Sequence, residues 1–148
     1  MDLAYTGLFA SALVAATVIP GSSEIVLLAM LVDGFDPWKL WIVATLGNVI
    51  GSCGNWWLGR VALRFQDRRW FPVSAAQLGR AQAWFRRWGY PSLLLAWVPG
   101  VGDAFTVAAG TLRMNLVAFV VLVAIAKGGR YAALIGGADV LGVSDWFT

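Results

Sequence analysis

The sequence contains no histidine and a single cysteine, Cys53, in 148 residues. Without histidine, Ser-His-Asp and Cys-His triads, imidazole acid–base catalysis and histidine-ligated metal centres are excluded. One cysteine excludes an intramolecular disulfide. Charge is scarce as well: Asp, Glu, Lys and Arg make up 13% of the chain, where about 25% is usual in a soluble domain. No nucleophile–base pair, metal-ligand cluster or phosphate-cradling glycine loop stands out, so an enzyme, a cofactor and a metal site are not expected. A pair of carboxylates is the one acid–base device left open. The formal net charge of +3 is modest, and no nucleic-acid partner is expected. The N-terminus lacks a positive n-region, Asp2 being its only charge, so it does not read as a signal peptide.

What fills the chain instead is apolar. Hydrophobic residues make up 59%, the mean hydropathy is +0.72, and there are nine tryptophans. This composition belongs to a membrane protein with interfacial aromatic anchors. The length suits one domain. Apolar segments fall at 3–19, 25–32, 38–58, 92–98, 104–112 and 116–138. A spanning helix needs about 20 apolar residues, which 38–58 and 116–138 supply. The shorter segments come in pairs around Pro20-Gly21 and Pro99-Gly100. Such pairs read as re-entrant helical hairpins, which enter the bilayer and turn back. For 3–32 the alternative is one kinked spanning helix.

The stretch 60–90 differs. It carries Arg60, Arg64, Arg68, Arg69, Arg80, Arg86 and Arg87 against Asp67 alone, the pattern of a cytoplasmic loop. Ser74 and Gln77 resemble a capping box, Leu78, Ala81, Phe85 and Trp88 recur at helical spacing, and Gly89 and Pro91 end the segment. The expectation is an amphipathic helix on the cytoplasmic leaflet, with Arg80, Arg86 and Arg87 near lipid phosphates; a solvated linker helix is the alternative.

A shift of 79 residues carries Pro20-Gly21-Ser22-Ser23-Glu24 onto Pro99-Gly100-Val101-Gly102-Asp103, Ala29 onto Ala108 and Asp36 onto Asn115. Each half then runs break, acid, short helix, polar turn, spanning helix. The resulting expectation is an all-α integral membrane fold of two inverted repeats, 1–59 and 91–148, joined by the amphipathic connector 60–90. Inverted repeats are a transporter signature, with the site near the bilayer midplane.

Glu24 and Asp103 follow the breaks and would meet, or nearly meet, at the hairpin tips. Intramembrane carboxylates usually mark ion or substrate paths, although a helix start also favours an acid. Lys127 and Arg130, three apart on one face of the second spanning helix, need partners among these acids. They fit an anionic headgroup as well as structural ion pairing or snorkelling. Asn48 and Asn55, seven apart, share a face of the first spanning helix; bonding a hairpin and lining a polar path are both open. The glycines of that helix permit close packing.

"PGSSEIVLLAMLVDG", "GNVIGSCGNWWLGR", and "LLLAWVPGVGDAFTVAAGTLRM" followed by "AKGGRY" together resemble the DedA superfamily, also called the SNARE-associated or VTT domain family, above all its short bacterial YqaA-like branch. The resemblance covers nearly the whole chain. It implies two inverted halves, each a re-entrant hairpin plus a spanning helix, in a bacterial inner membrane. It also implies movement of lipids between leaflets: family members include undecaprenyl phosphate carriers, proteins needed for proton-motive-force balance, and phospholipid scramblases. The family's acid after the first Pro-Gly matches Glu24. Ala96, Gly102, Asp103 and Ser52 depart from the commoner pattern, which has arginine at the first, Arg-Thr at the second and third, and aspartate at the last. Lys127 and Arg130 then replace the missing arginines, or the substrate differs.

Three functions follow as expectations. The first is a transporter of a phospholipid or polyprenyl phosphate between leaflets, with coupling to H+ or Na+ through Glu24 or Asp103. The second is a small-ion antiporter or leak pathway. The third is a non-transport assembly or interaction protein whose buried charges are structural. A chain this small also suits a homodimer or a groove-type scramblase.

Overall fold

The computed structural model describes residues 3–16, 22–61, 74–98 and 101–142. Pro20, Gly21, Pro99 and Gly100 lie outside the described residues, as do Arg64, Asp67, Arg68, Arg69 and Pro72. Among the described residues every regular element is helical: α1 (Leu3–Ala15), α2 (Ser22–Val32), α3 (Pro37–Val61), α4 (Ala75–Trp88), a 3₁₀ helix η1 (Tyr90–Trp97), α5 (Gly102–Thr111) and α6 (Leu116–Val140). These match the apolar segments closely, except that 92–98 winds as 3₁₀.

The 79-residue correspondence extends to backbone detail. It carries both ends of α3 onto both ends of α6, each helix having 25 residues. Asp36 accepts the Trp38 amide at 2.9 Å at the start of α3, and Asn115 accepts the Val117 amide at 2.9 Å at the start of α6. Side-chain oxygens thus satisfy orphan amides at both starts. The ends of α2 and α5 also match. Phe35 and Gly34 donate to Met30 and Leu31, and Met114 and Arg113 donate to Ala109 and Gly110, all at 3.0–3.1 Å. This is the Schellman closure, which needs one residue in the left-handed region. Gly34 takes it at φ 88°, and Arg113 takes it at φ 56° without glycine's freedom.

The helices α1 and α2 lie side by side, with the start of one near the end of the other. Tyr5 near the start of α1 meets Phe35 just beyond α2, edge to face, with ring centroids 5.4 Å apart. One kinked helix over 3–32 does not describe this geometry. The helices α3 and α6 run antiparallel. Trp41 Nε1 donates to the Gly128 carbonyl at 2.8 Å near one end, and Trp56 Nε1 to the Met114 carbonyl at 3.0 Å near the other.

Two apolar clusters flank this pair. One gathers Leu8, Leu27, Met30, Leu40, Ala44 and Tyr131 from α1, α2 and facing parts of α3 and α6. The other gathers α4, η1, α5 and the remaining parts of α3 and α6 around Phe85, Phe105, Val107 and Phe119. Polarity is distributed inside out. Ser23, Asn48, Ser52, Asn55, Thr106 and Lys127 are buried, while Ile42, Leu46, Ile50 and Trp57 of α3 and Val117, Val121 and Ile125 of α6 are exposed. Spacings of four and seven residues make each exposed set a stripe suited to lipid.

Among the described residues, α6 is the one helix both long and apolar enough to cross a bilayer, with mean hydropathy 1.7 over its best window. The sequence expectation gave α3 the same standing. It has the length, about 1.5 Å per residue, but Asn48, Ser52, Asn55 and its glycines lower its hydropathy. Asn48, Ser52, Asn55, Gly47, Gly51 and Gly59 point into the protein, so the surface left to lipid is more apolar than the whole helix.

Candidate functional site

The breaks determine what the site needs. The last carbonyls of a helix have no further turn to bond them. Two α3 side chains supply donors: Asn48 Nδ2 donates to Ala12 O at 3.0 Å, and Asn55 Nδ2 to Ala16 O at 2.7 Å. Asn55 also donates to Thr106 Oγ1 of α5 at 3.2 Å, which ties both hairpins to α3. Of the two roles the sequence left open for these asparagines, this geometry assigns bonding to the hairpins. Asn55→Leu keeps the branched outline but strips a donor from a buried carbonyl. It is expected to cost about 1–3 kcal/mol, read as a lowered melting temperature of the detergent-purified protein.

Glu24 sits in the first turn of α2 and Asp103 in the first turn of α5, each favoured by the positive end of its helix. Both address α6. Arg130 forms an ion pair with Glu24. One residue along each helix, the hydroxyls of Ser23 and Tyr131 share a hydrogen bond of 2.7 Å. Asp103 and Lys127 lie within Coulombic reach of each other. The single face of α6 foreseen for Lys127 and Arg130 thus serves two hairpins, one cation for each.

The environments differ. Lys127 is 4% exposed, whereas the Arg130 and Glu24 side chains keep 19% and 24% of their surface. The Glu24–Arg130 pair is therefore the accessible member. Asn48 Oδ1 and Thr45 Oγ1 are buried without a hydrogen-bond partner among the described residues. Ser23, Thr45, Thr106 and Tyr131 are site residues that sequence reasoning missed. Two of them adjoin a predicted charge, and the 79-residue shift, which places Asn48 on Lys127 and Ser52 on Tyr131, was a further signal.

Arg80, Arg86 and Arg87 lie elsewhere, exposed on α4. The expected capping box is present, with Gln77 N donating to Ser74 Oγ at 3.2 Å and Ser74 N to Gln77 Oε1 at 3.3 Å. The apolar face holds three of its four expected members. Leu78, Ala81 and Phe85 are buried in the protein, Phe85 against Phe105 of α5 at 6.0 Å. Trp88 does not join them and is half exposed. That face packs on α5.

A family model described as the VTT domain matches residues 19–137. The chain is 37% identical to inner membrane protein YqaA of Escherichia coli over 97% of its own length and 96% of that protein's. It is 35% identical to an uncharacterized protein of Haemophilus influenzae, covering 86% and 83% of the two chains. A partial match, 31% identical over 56% of this chain and 45% of the relative, is to undecaprenyl phosphate transporter A of Staphylococcus aureus. Two of these relatives are named for what they are, one as an inner membrane protein and one as a transporter. No solved structure matches significantly. With a domain match running from before the first hairpin's acid to nearly the end of α6, the chain belongs to the VTT-domain, or DedA, family of membrane proteins.

Proposed function

We propose that this protein is a multi-pass inner-membrane transporter that moves an anionic lipid, a polyprenyl phosphate or a phospholipid, between leaflets. The reading rests on one observation: the Glu24–Arg130 pair remains partly accessible among buried polar groups, inside a protein whose α3 and α6 turn apolar stripes outward. Arg130 offers a planar fork matched to phosphate, and Lys127 adds a second cation one turn away. The named activity of the S. aureus relative supports this substrate class. The path lies between the hairpin ends and α6, where α2 and α5 begin. The antiparallel run of α3 and α6, which are equivalent under the 79-residue shift, favours two inverted repeats with re-entrant hairpins.

Charge favours an orientation. Trp56, beneath the Arg60 guanidinium, bonds Met114, and Gln82 of α4 bonds Thr111. Arg60, Arg113 and the α4 arginines therefore gather at one end of α3 and α6. Asp139 lies with Gly34 and Phe35 at the other, beside Asp33 and Asp36. The arginine end faces the cytoplasm under the positive-inside rule.

The test follows labelled phospholipid and, separately, undecaprenyl phosphate across vesicles holding the purified protein. Wild type is expected to move at least one of them, and folded Lys127→Ala to fall to the rate of empty vesicles. Movement of neither lipid by folded wild type, with or without an ion gradient, overturns the reading. A second reading, a path for H+ or Na+, draws on Asn48 Oδ1 and Thr45 Oγ1, two buried acceptors able to take a proton donor or a small cation. It predicts ion flux in vesicles of zwitterionic lipid alone.

A further inference from the structure

We propose that the outward face of α4 binds anionic lipid headgroups, with Trp84, Arg87 and Trp88 forming the binding pocket. The fold uses one face of this helix, through Leu78, Ala81 and Phe85. At about 100° per residue, Trp84 and Trp88 fall on one flank of that face, and Arg80 and Arg87 follow further round. The two tryptophans stack with ring centroids 6.2 Å apart, yet remain 48% and 56% exposed. The Arg87 guanidinium lies 5.3 Å from the centroid of the Trp88 ring. Together with Ala83 these three residues line a pocket of about 310 Å³.

Charge complementarity identifies the occupant. Between Ala75 and Trp88 there are three arginines and no acid. Tryptophan prefers the depth of the headgroups, with its ring toward the hydrocarbon. A guanidinium beside it grips phosphate oxygens in parallel. Indole surface and a cationic fork in one pocket therefore fit a phosphate that carries acyl chains, better than a free phosphate ion. This surface is separate from Glu24, Lys127 and Arg130, so its failure would leave the transport reading standing.

The test places the full chain in nanodiscs of phosphatidylcholine and phosphatidylglycerol at a known ratio. The lipids that remain bound on transfer to the gas phase are then counted by native mass spectrometry. Wild type is expected to retain phosphatidylglycerol several-fold above its mixing ratio. Arg87→Ala and the pair Trp84→Ala with Trp88→Ala are expected to return it to that ratio, with helicity and melting temperature kept. Lys39→Ala, at the opposite end of α3, is expected to leave the enrichment intact, and Arg87→Lys to keep part of it. Enrichment absent in wild type, unchanged in the folded α4 variants, or removed by inorganic phosphate would overturn the proposal.

Discussion

Glu24→Gln and Arg130→Gln are each expected to lower stability, while the double variant recovers it and still fails to transport. Removing one member of a buried ion pair strands the other charge, at a cost of roughly 3–5 kcal/mol. This pair keeps about a fifth of its surface, so the lower part of that range applies. Converting both members to glutamine leaves no stranded charge and retains hydrogen-bonding groups across the α2–α6 contact. The neighbouring Ser23–Tyr131 bond is untouched. Stability therefore follows the balance of charge, and transport follows the presence of the guanidinium. Melting temperature in detergent and lipid movement in vesicles separate the two on the same three variants. A double variant that transports at the wild-type rate would make the pair a structural clasp. A double variant as unstable as the singles would mean that packing, and not stranded charge, governs this contact.

The same logic gives the two cations different work. A lipid phosphate that reaches Arg130 competes with the Glu24 carboxylate for one fork. Lys127 is nearly enclosed and is held within the field of Asp103. On the proposed transport reading, an entering phosphate would meet Arg130 first, and Arg130's hold on α2 would weaken as Glu24 is displaced. The Ser23–Tyr131 bond would then remain as the neutral contact between α2 and α6.

Local features were readable in the sequence where one segment determines them. Apolar runs locate the helices because lipid-facing and core-facing positions are both apolar. Asp36, Asn115, Ser74 and Gly89 mark helix ends because capping acts within a few residues. Pairings across the chain were not readable. Nothing local says that Arg130 belongs to Glu24 and Lys127 to Asp103, since both acids follow similar breaks. The asparagines of α3 were visible as polar residues on one face, but their acceptors are the carbonyls at the end of α1, and every residue carries a carbonyl. Periodicity gave α4 an apolar face without saying what covers it. Trp88 was grouped with that face on spacing alone, although it lies about 60° round from Phe85, on the flank where Trp84 stacks.

Gly59→Ala is expected to be among the most damaging one-carbon changes in the chain, and Gly54→Ala among the least. Both glycines lie within α3, yet their surroundings are opposite. A Cβ on Gly59 would run into the carbonyl oxygen of Val107 on α5, and a Cβ on Gly110 of α5 would run into the carbonyl oxygen of Trp56 on α3. Each glycine thus accommodates the other helix's backbone, which cannot rotate away as a side chain can. Moving α3 off α5 would also stretch the 3.2 Å contact of Asn55 with Thr106. Overpacking costs about 1–3 kcal/mol and more where the obstacle is rigid, so a melting temperature lowered well beyond that of Asn55→Leu is expected. A Cβ on Gly54 meets nothing within 4 Å. Alanine there gains about 0.5–1 kcal/mol of helix preference, and stability is expected to hold or rise. Thermal unfolding of the two variants in one detergent decides the matter. Equal melting temperatures would mean that α3 and α5 are not in backbone contact, and the positions of Asn55, Thr106 and Asp103 around α3 would fall with it.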